Sequence, residues 1–197
     1  MSRLKLSLII TLLLLGLGYS ISTHAASFTF KNEAYILRWN DGQLFELTPE
    51  AQSDLKNWQT MVSFVLFQPI NDGDSLAAIA NQTLATYKTH EGMLMATDSV
   101  PASKDQPAEH FIAYLFISPD SFEFSANRLV LSEGIGVSVV YSRRFYNKKG
   151  EDGHVVSDWM EKHGPEIEAS LMAISKEEIN KTVRKLLSLS AEKKDNV

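Results

Sequence analysis

The sequence predicts an α+β fold: a single open antiparallel sheet of about six or seven strands, with helices packed on one face and further helices at the C-terminus. Three observations predict it. Period-two apolar patterns recur between residues 27 and 145, and the breaks between them are short turns that suit antiparallel neighbours. Helical spacing of apolar residues appears once in the middle of the chain and dominates after residue 153. The composition is globular, with 44% hydrophobic and 22% charged residues, and it contains no cysteine.

The chain opens on a block of a different kind. Arg3 and Lys5 precede an uncharged run of 17 residues, 6–22, centred on Leu12-Leu13-Leu14-Leu15. Small and polar residues follow, and Thr23 and Ala25 suit the −3 and −1 positions of a signal peptidase site, with Ala26 as a second choice. Residues 1–26 are therefore read as a cleaved signal peptide. The run is at the lower limit for a membrane span, contains two glycines and lacks a positive stop-transfer flank. No stable membrane span is expected after cleavage, and no cysteine offers a lipid attachment point.

The next strand covers 27–40, with Tyr35, Leu37 and Trp39 on one face. The Asn40-Asp41-Gly42 turn then leads into 43–48, completing a hairpin. Residues 57–68 alternate Trp58, Thr60, Val62, Phe64 and Leu66 against Met61, Val65 and Phe67, which predicts a central strand buried on both sides. After a break at 71–75, Leu76, Ile79, Ala80, Leu84 and Tyr87 form one helical stripe, with Asp74 or Ser75 as N-cap and Gly92 as the stop. Strands follow at 93–100, 110–117, 122–131 and 135–145. The one at 110–117 is apolar on both faces and is expected to be covered twice or to face a partner or apolar ligand. Val156, Trp159, Met160, Ile167, Leu171 and Ile174 follow a helical stripe, where Gly164-Pro165 predicts a kink or two helices. Ser175 and Glu178 form a capping box before a last helix at 175–190, and 191–197 reads as a disordered tail. The order is β-β-β-α-β-β-β-β-α-α, with one domain over 27–174 plus the last helix.

Leu47-Thr48-Pro49-Glu50, followed by Trp58 and Met61 entering a strand, resembles a segment of small uncharacterised secreted bacterial proteins. The element order is similar to that of the PsbP/Mog1-type α+β fold. That resemblance implies a binding or assembly module, and neither likeness brings catalytic residues.

Charge and composition exclude several function classes. The first 26 residues hold two of the 19 basic residues and none of the 24 acidic ones, so the remainder carries 17 against 24. Such an acidic protein is not a general nucleic-acid binder and does not adhere to anionic lipid by charge. An exported domain without disulfides is stabilised by core burial alone, which favours a bacterial, periplasmic or secreted protein.

Motifs for chemistry are absent. His90, His110, His154 and His163 have no zinc spacing. Asp72 and Asp74 flank Gly73 as in part of a calcium loop, but Leu76, Ala78 and Ile79 replace its later ligands. There is no G-x-S-x-G, and Gly134-Ile135-Gly136 precedes a strand rather than the helix of a dinucleotide site. No catalytic residue, metal or cofactor is assigned. The one charge anomaly is Arg143, Arg144, Phe145, Tyr146, Lys148 and Lys149, read as a candidate docking segment for an anionic envelope protein or component. The resulting expectation is an exported, non-enzymatic binding or accessory module. The alternatives are a hydrolase or metal enzyme with a dispersed site, and a carrier of a small apolar ligand between sheet and helices.

Overall fold

A computed structural model describes residues 26–67, 70, 72–104, 106–146 and 153–195. The expected signal peptide therefore lies outside the described residues, except for Ala26. Eight strands and three helices follow in order: β1 (Ser27–Phe30), β2 (Glu33–Asn40), β3 (Leu44–Pro49), β4 (Thr60–Phe67), α1 (Gly73–Thr89), β5 (Met93–Val100), β6 (Glu109–Ile117), β7 (Ser121–Ser132), β8 (Ile135–Tyr146), α2 (Gly153–Met172) and α3 (Lys176–Asp195). All eight strands join one antiparallel sheet in the order β1-β2-β3-β4-β8-β7-β6-β5. The α+β class and the open antiparallel sheet are as the sequence predicts.

The strand count is higher because the expected strand at 27–40 is itself a hairpin. Lys31 and Asn32 both have positive φ, 50° and 64°, and Phe30 pairs with Glu33 across them. A two-residue turn of this hand matches the strand twist and leaves the period-two pattern in phase on either side, so it hides in the sequence. Glu133 and Gly134 make the same kind of turn between β7 and β8.

The chain forms two four-strand meanders, β1–β4 and β5–β8, which meet at the β4–β8 pairing. α1 makes this possible. Four strand spacings separate β4 from β5, roughly 19 Å, and the 17 residues of α1 span about 25 Å. The helix thus carries the chain across β8, β7 and β6 to the far edge.

Its N-cap is Asp72, not Asp74 or Ser75: the Asp72 side chain accepts the Ser75 N–H at 2.7 Å, and Asp74 lies in the first turn, where it favours the helix dipole. Beyond the C-terminus, the left-handed position is taken by Glu91, φ 58°. Gly92 is needed for closeness instead. A Cβ there would meet the Phe116 ring at 2.8 Å and the Tyr114 ring at 2.9 Å.

The helices do not share one face. Alternate residues of β6 point opposite ways: Phe111, Ala113 and Leu115 join the core under α2 and α3, whereas Ile112 and Tyr114 join the core under α1. The expectation that this strand is covered twice is therefore met, and α1 is placed opposite the two C-terminal helices. The larger core packs Phe28, Phe45, Phe64, Val137 and Val139 against Ile167 and Leu171 of α2 and Ile179, Val183 and Leu186 of α3. The smaller one sets Leu76, Ala80 and Leu84 of α1 against Ile112, Tyr114 and Leu129, with Tyr87 edge-on to Tyr114 and Phe116. α2 runs through Pro165 as a single helix, and α3 continues to Asp195, beyond the end expected at 190.

One buried ionic group ties these layers together. Arg128 on β7 is 4% exposed. Its Nε and Nη2 donate to Glu109 Oε2 at 2.9 and 2.7 Å, and its Nη1 donates to the Leu171 and Ile174 carbonyls at 2.9 and 2.5 Å. Leu171 is in the last turn of α2 and Ile174 just beyond it, and the Leu171 carbonyl also accepts the Ile174 N–H at 3.3 Å. Lys176, the first residue of α3, lies 3.3 Å from the other Glu109 oxygen. Removing Arg128 leaves Glu109 with only the partly exposed Lys176 and takes a charged donor from two carbonyls. Arg128→Ala is expected to lower unfolding free energy by about 3–5 kcal/mol in urea titrations. Arg128→Lys should fall between, because a compact ammonium keeps the charge but not the spread of the guanidinium's three nitrogens.

Candidate functional site

The described residues of the basic segment point to both sides of the sheet. Arg143 and Phe145 point to the α2 side of β8, and the Arg143 guanidinium lies 5.3 Å from the Phe145 ring centroid. The Phe145 ring in turn packs edge-on against Trp159 of α2. Arg144 and Tyr146 point to the other side. The Arg144 guanidinium donates to Glu123 Oε2 at 2.7 and 3.2 Å and stacks 4.0 Å from the Trp58 ring centroid. The Tyr146 hydroxyl donates to the Trp58 carbonyl at 2.9 Å. Burial opposes the charge on Arg144, but the Glu123 carboxylate prevails and holds its pKa above the ordinary arginine value. Nearby, burial raises the Glu46 carboxyl, and Arg144 only partly offsets it. Arg144 thus fastens the 50–59 loop to the sheet through Trp58. Lys148 and Lys149 lie outside the described residues.

The histidines are dispersed. His90 follows α1, with Nδ1 2.9 Å from the Thr86 carbonyl. His110 is on β6, with Nδ1 3.0 Å from the Ser99 hydroxyl, and burial lowers its pKa. Its Nε2 has no partner among the described residues, so no carboxylate completes a triad there. His154 and His163 are both on α2. Among the described residues no group of three His, Asp or Glu side chains is placed to hold a metal ion.

The arrangement that can take a ligand is an apolar groove of about 440 Å³ between α2 and the β5–β7 end of the sheet. Its floor is made by Phe111, Ala113 and Phe124, all buried, so it reaches the main core. Met160 of α2 and Met95 and Ala96 of β5 form its walls. The space exists because the facing residues are small: Ala96 and Ala113 on adjacent strands, and Gly164 on the helix above. Met95 reaches the groove because β5 is bulged between Leu94 and Ala96, an irregularity that re-aims a side chain. Unbranched methionines on two sides give adaptable walls. Grooves of about 470 Å³ near Gly42 and Ser190 and about 490 Å³ near Gly73 and Pro107 are lined mainly by loops and helix ends. A further groove of about 310 Å³ lies beside α1, lined by Val65, Phe67 and several hydroxyl and amide side chains.

The α2 groove has an acidic rim. Its lining polar residues are Ser157, Glu161 and Glu168. Burial raises the Glu168 carboxyl above its ordinary range, and Asp98 of β5 adds repulsion. Sequence reading found the elements but not this site. Its signals are small residues, which look ordinary until three elements bring them together.

No protein-family model matches the chain, and no curated protein sequence matches it. Among solved structures, the crystal structure of human STARD10 is similar at 6% identity and a TM-score of 0.29, over 83% of this chain and 78% of that one. A likeness of that size assigns neither fold family nor ligand.

A raised pKa means that the folded chain holds the Glu168 proton more tightly than the unfolded chain does. Ionisation at neutral pH therefore works against folding. Glu168→Gln is expected to raise the melting temperature at pH 7. The gain should vanish below the usual carboxylate range, where Glu168 is neutral in both states, and a thermal series across pH checks it.

Proposed function

We propose that this protein is an exported, non-enzymatic binding module that holds a small ligand with an apolar body in the groove between α2 and β5–β7. One observation carries the reading: an apolar space reaching buried Phe111 and Phe124, walled by two methionines. Ligand sites are typically such concave, mostly apolar spaces of several hundred cubic ångströms with a few polar groups at the mouth. The binding role implied by the PsbP/Mog1-type resemblance agrees with it.

A neutral apolar fluorophore, N-phenyl-1-naphthylamine, tests the groove. The wild-type protein is expected to bind it with enhanced emission. Ala96→Phe and Gly164→Leu, which add bulk from opposite walls, should each weaken binding at least tenfold with unchanged circular dichroism. A Cβ at Gly164 meets nothing within 4 Å, so the first atom of the added side chain has room. Absence of wild-type binding, or equal binding by both folded variants, would overturn the assignment.

Of the two cleavage points, the one after Ala25, which leaves Ala26 as the first residue instead of removing 1–26, suits the fold better. The Ala26 carbonyl accepts the Leu37 N–H at 2.8 Å, and its side chain is part of the main core. Cleavage after Ala25 keeps these contacts, whereas cleavage after Ala26 removes them. Intact-mass measurement of protein recovered from the periplasm or medium is expected to give a chain beginning at Ala26. Recovery only as the full chain in the cytosol would contradict export.

A further inference from the structure

The polar groups around the groove specify the kind of molecule it holds. All the charged lining residues, Glu161 and Glu168, are acidic, and Ser157 is the one other lining residue with a polar side chain. Neither glutamate is ion-paired among the described residues. Three cations near α2 are engaged elsewhere, Lys31 lying 2.9 Å from Glu166 and Lys176 and Arg128 serving Glu109, and Lys162 of α2 does not line the groove. Asp98, across the groove on β5, bears on Glu168 electrostatically. Pro165 adds a third kind of acceptor. It lies inside α2 and has no N–H to return to the Glu161 carbonyl one turn earlier, so that carbonyl lacks its helical donor. Glu161, Gly164, Pro165 and Glu168 thus border the same space, and the side they present is rich in acceptors and carries no basic group.

We infer that the groove takes a cationic amphiphile: an alkyl or aryl body seated on Phe111, Ala113 and Phe124, with an ammonium head at Glu161 and Glu168. This rests on the groove being a ligand site and goes beyond it by naming the head group. The apolar floor supplies affinity for any molecule of suitable body. The two carboxylates discriminate among heads, because an anion would meet repulsion there and an alcohol would leave them unneutralised. The neighbouring Asp98 carboxylate enlarges that difference. A cation would also relieve the unfavourable burial of the Glu168 charge, which binding of a neutral body alone would worsen.

Three compounds with the same body separate the two layers of the argument: 1-decanol, decanoate and decylammonium, each below its micellar concentration. Binding is measured by calorimetry and by displacement of N-phenyl-1-naphthylamine at pH 7 and low salt. Decylammonium is expected to bind about tenfold more tightly than decanol, the size of a charge-assisted contact at a partly exposed site, and decanoate more weakly than either. In Glu161→Gln/Glu168→Gln, decanol affinity should be kept or rise, since no charge is then buried beneath it, and the ammonium preference should disappear. Raising salt should weaken decylammonium alone. If decanol binds but the three heads are equivalent, if decanoate is preferred, or if the preference survives the double substitution, the head-group inference fails and the apolar groove stands. If neither decanol nor the fluorophore binds, the groove itself is not a ligand site and both readings fall together.

Discussion

The arginine at position 128 is the constraint around which the rest is arranged. It emerges from the middle of β7 beneath the end of α2, where four potential hydrogen-bonding obligations converge: a buried carboxylate, two helix-terminal carbonyls and its own guanidinium. Each is costly alone and satisfied together. The result fixes where α2 ends and where α3 begins, because Lys176 shares the same carboxylate. It also fixes the height of α2 over the sheet at one end. The aromatic packing of Trp159 against Phe124 and Phe145 fixes it nearer the other. Between these supports the helix passes over Ala96 and Ala113, and the groove is the space left under the span. A site formed this way owes its shape to its two supports as much as to its lining.

The sheet shows a division of labour between its faces. Under α2 and α3 it is apolar apart from the Arg128–Glu109 pair, with Val, Phe and Leu on successive strands. Under α1 the core is small, and polar residues such as Ser125, Asn127 and Ser138 enter the face. Asn127 is satisfied there by the Tyr87 hydroxyl and the Ile112 carbonyl. Further along the same face the Trp58–Arg144–Glu123 cluster covers part of the sheet. An arginine stacked on an indole and clamped by a carboxylate serves there as covering material, with its methylene stem adding apolar contact.

Much of the fold was legible because burial leaves a periodic trace. The α1 stripe from Leu76 to Tyr87 and the α2 stripe from Val156 to Ile174 both enter the cores as their spacing predicts. The losses have separate physical causes. The Lys31-Asn32 turn uses two side-chain-bearing residues at positive φ and so lacks the glycine that signals a reversal. Nothing in the stripe of α1 says which face of the sheet it takes, since that depends on the strand order, and the strand order is nonlocal. Strand alternation divides Arg143 from Arg144, so neighbours along the basic segment are not neighbours on one surface. The groove left no local mark, because a void is recorded only by the smallness of residues far apart in sequence.

The seam between the two meanders has a bearing on how the chain is born. β4 pairs on one side with β3, its close neighbour in sequence, and on the other with β8, which lies some 70 residues later. Until residues 135–146 have been made and delivered, the most apolar strand of the N-terminal half presents a bare row of amides and carbonyls to whatever is nearby. A ribosome or translocation channel releasing this protein therefore exposes an adhesive edge for the time needed to make nearly half the molecule. Such edges invite intermolecular pairing. The architecture thus favours a chain kept unfolded or escorted during delivery, with closure of the sheet as a late, whole-molecule event.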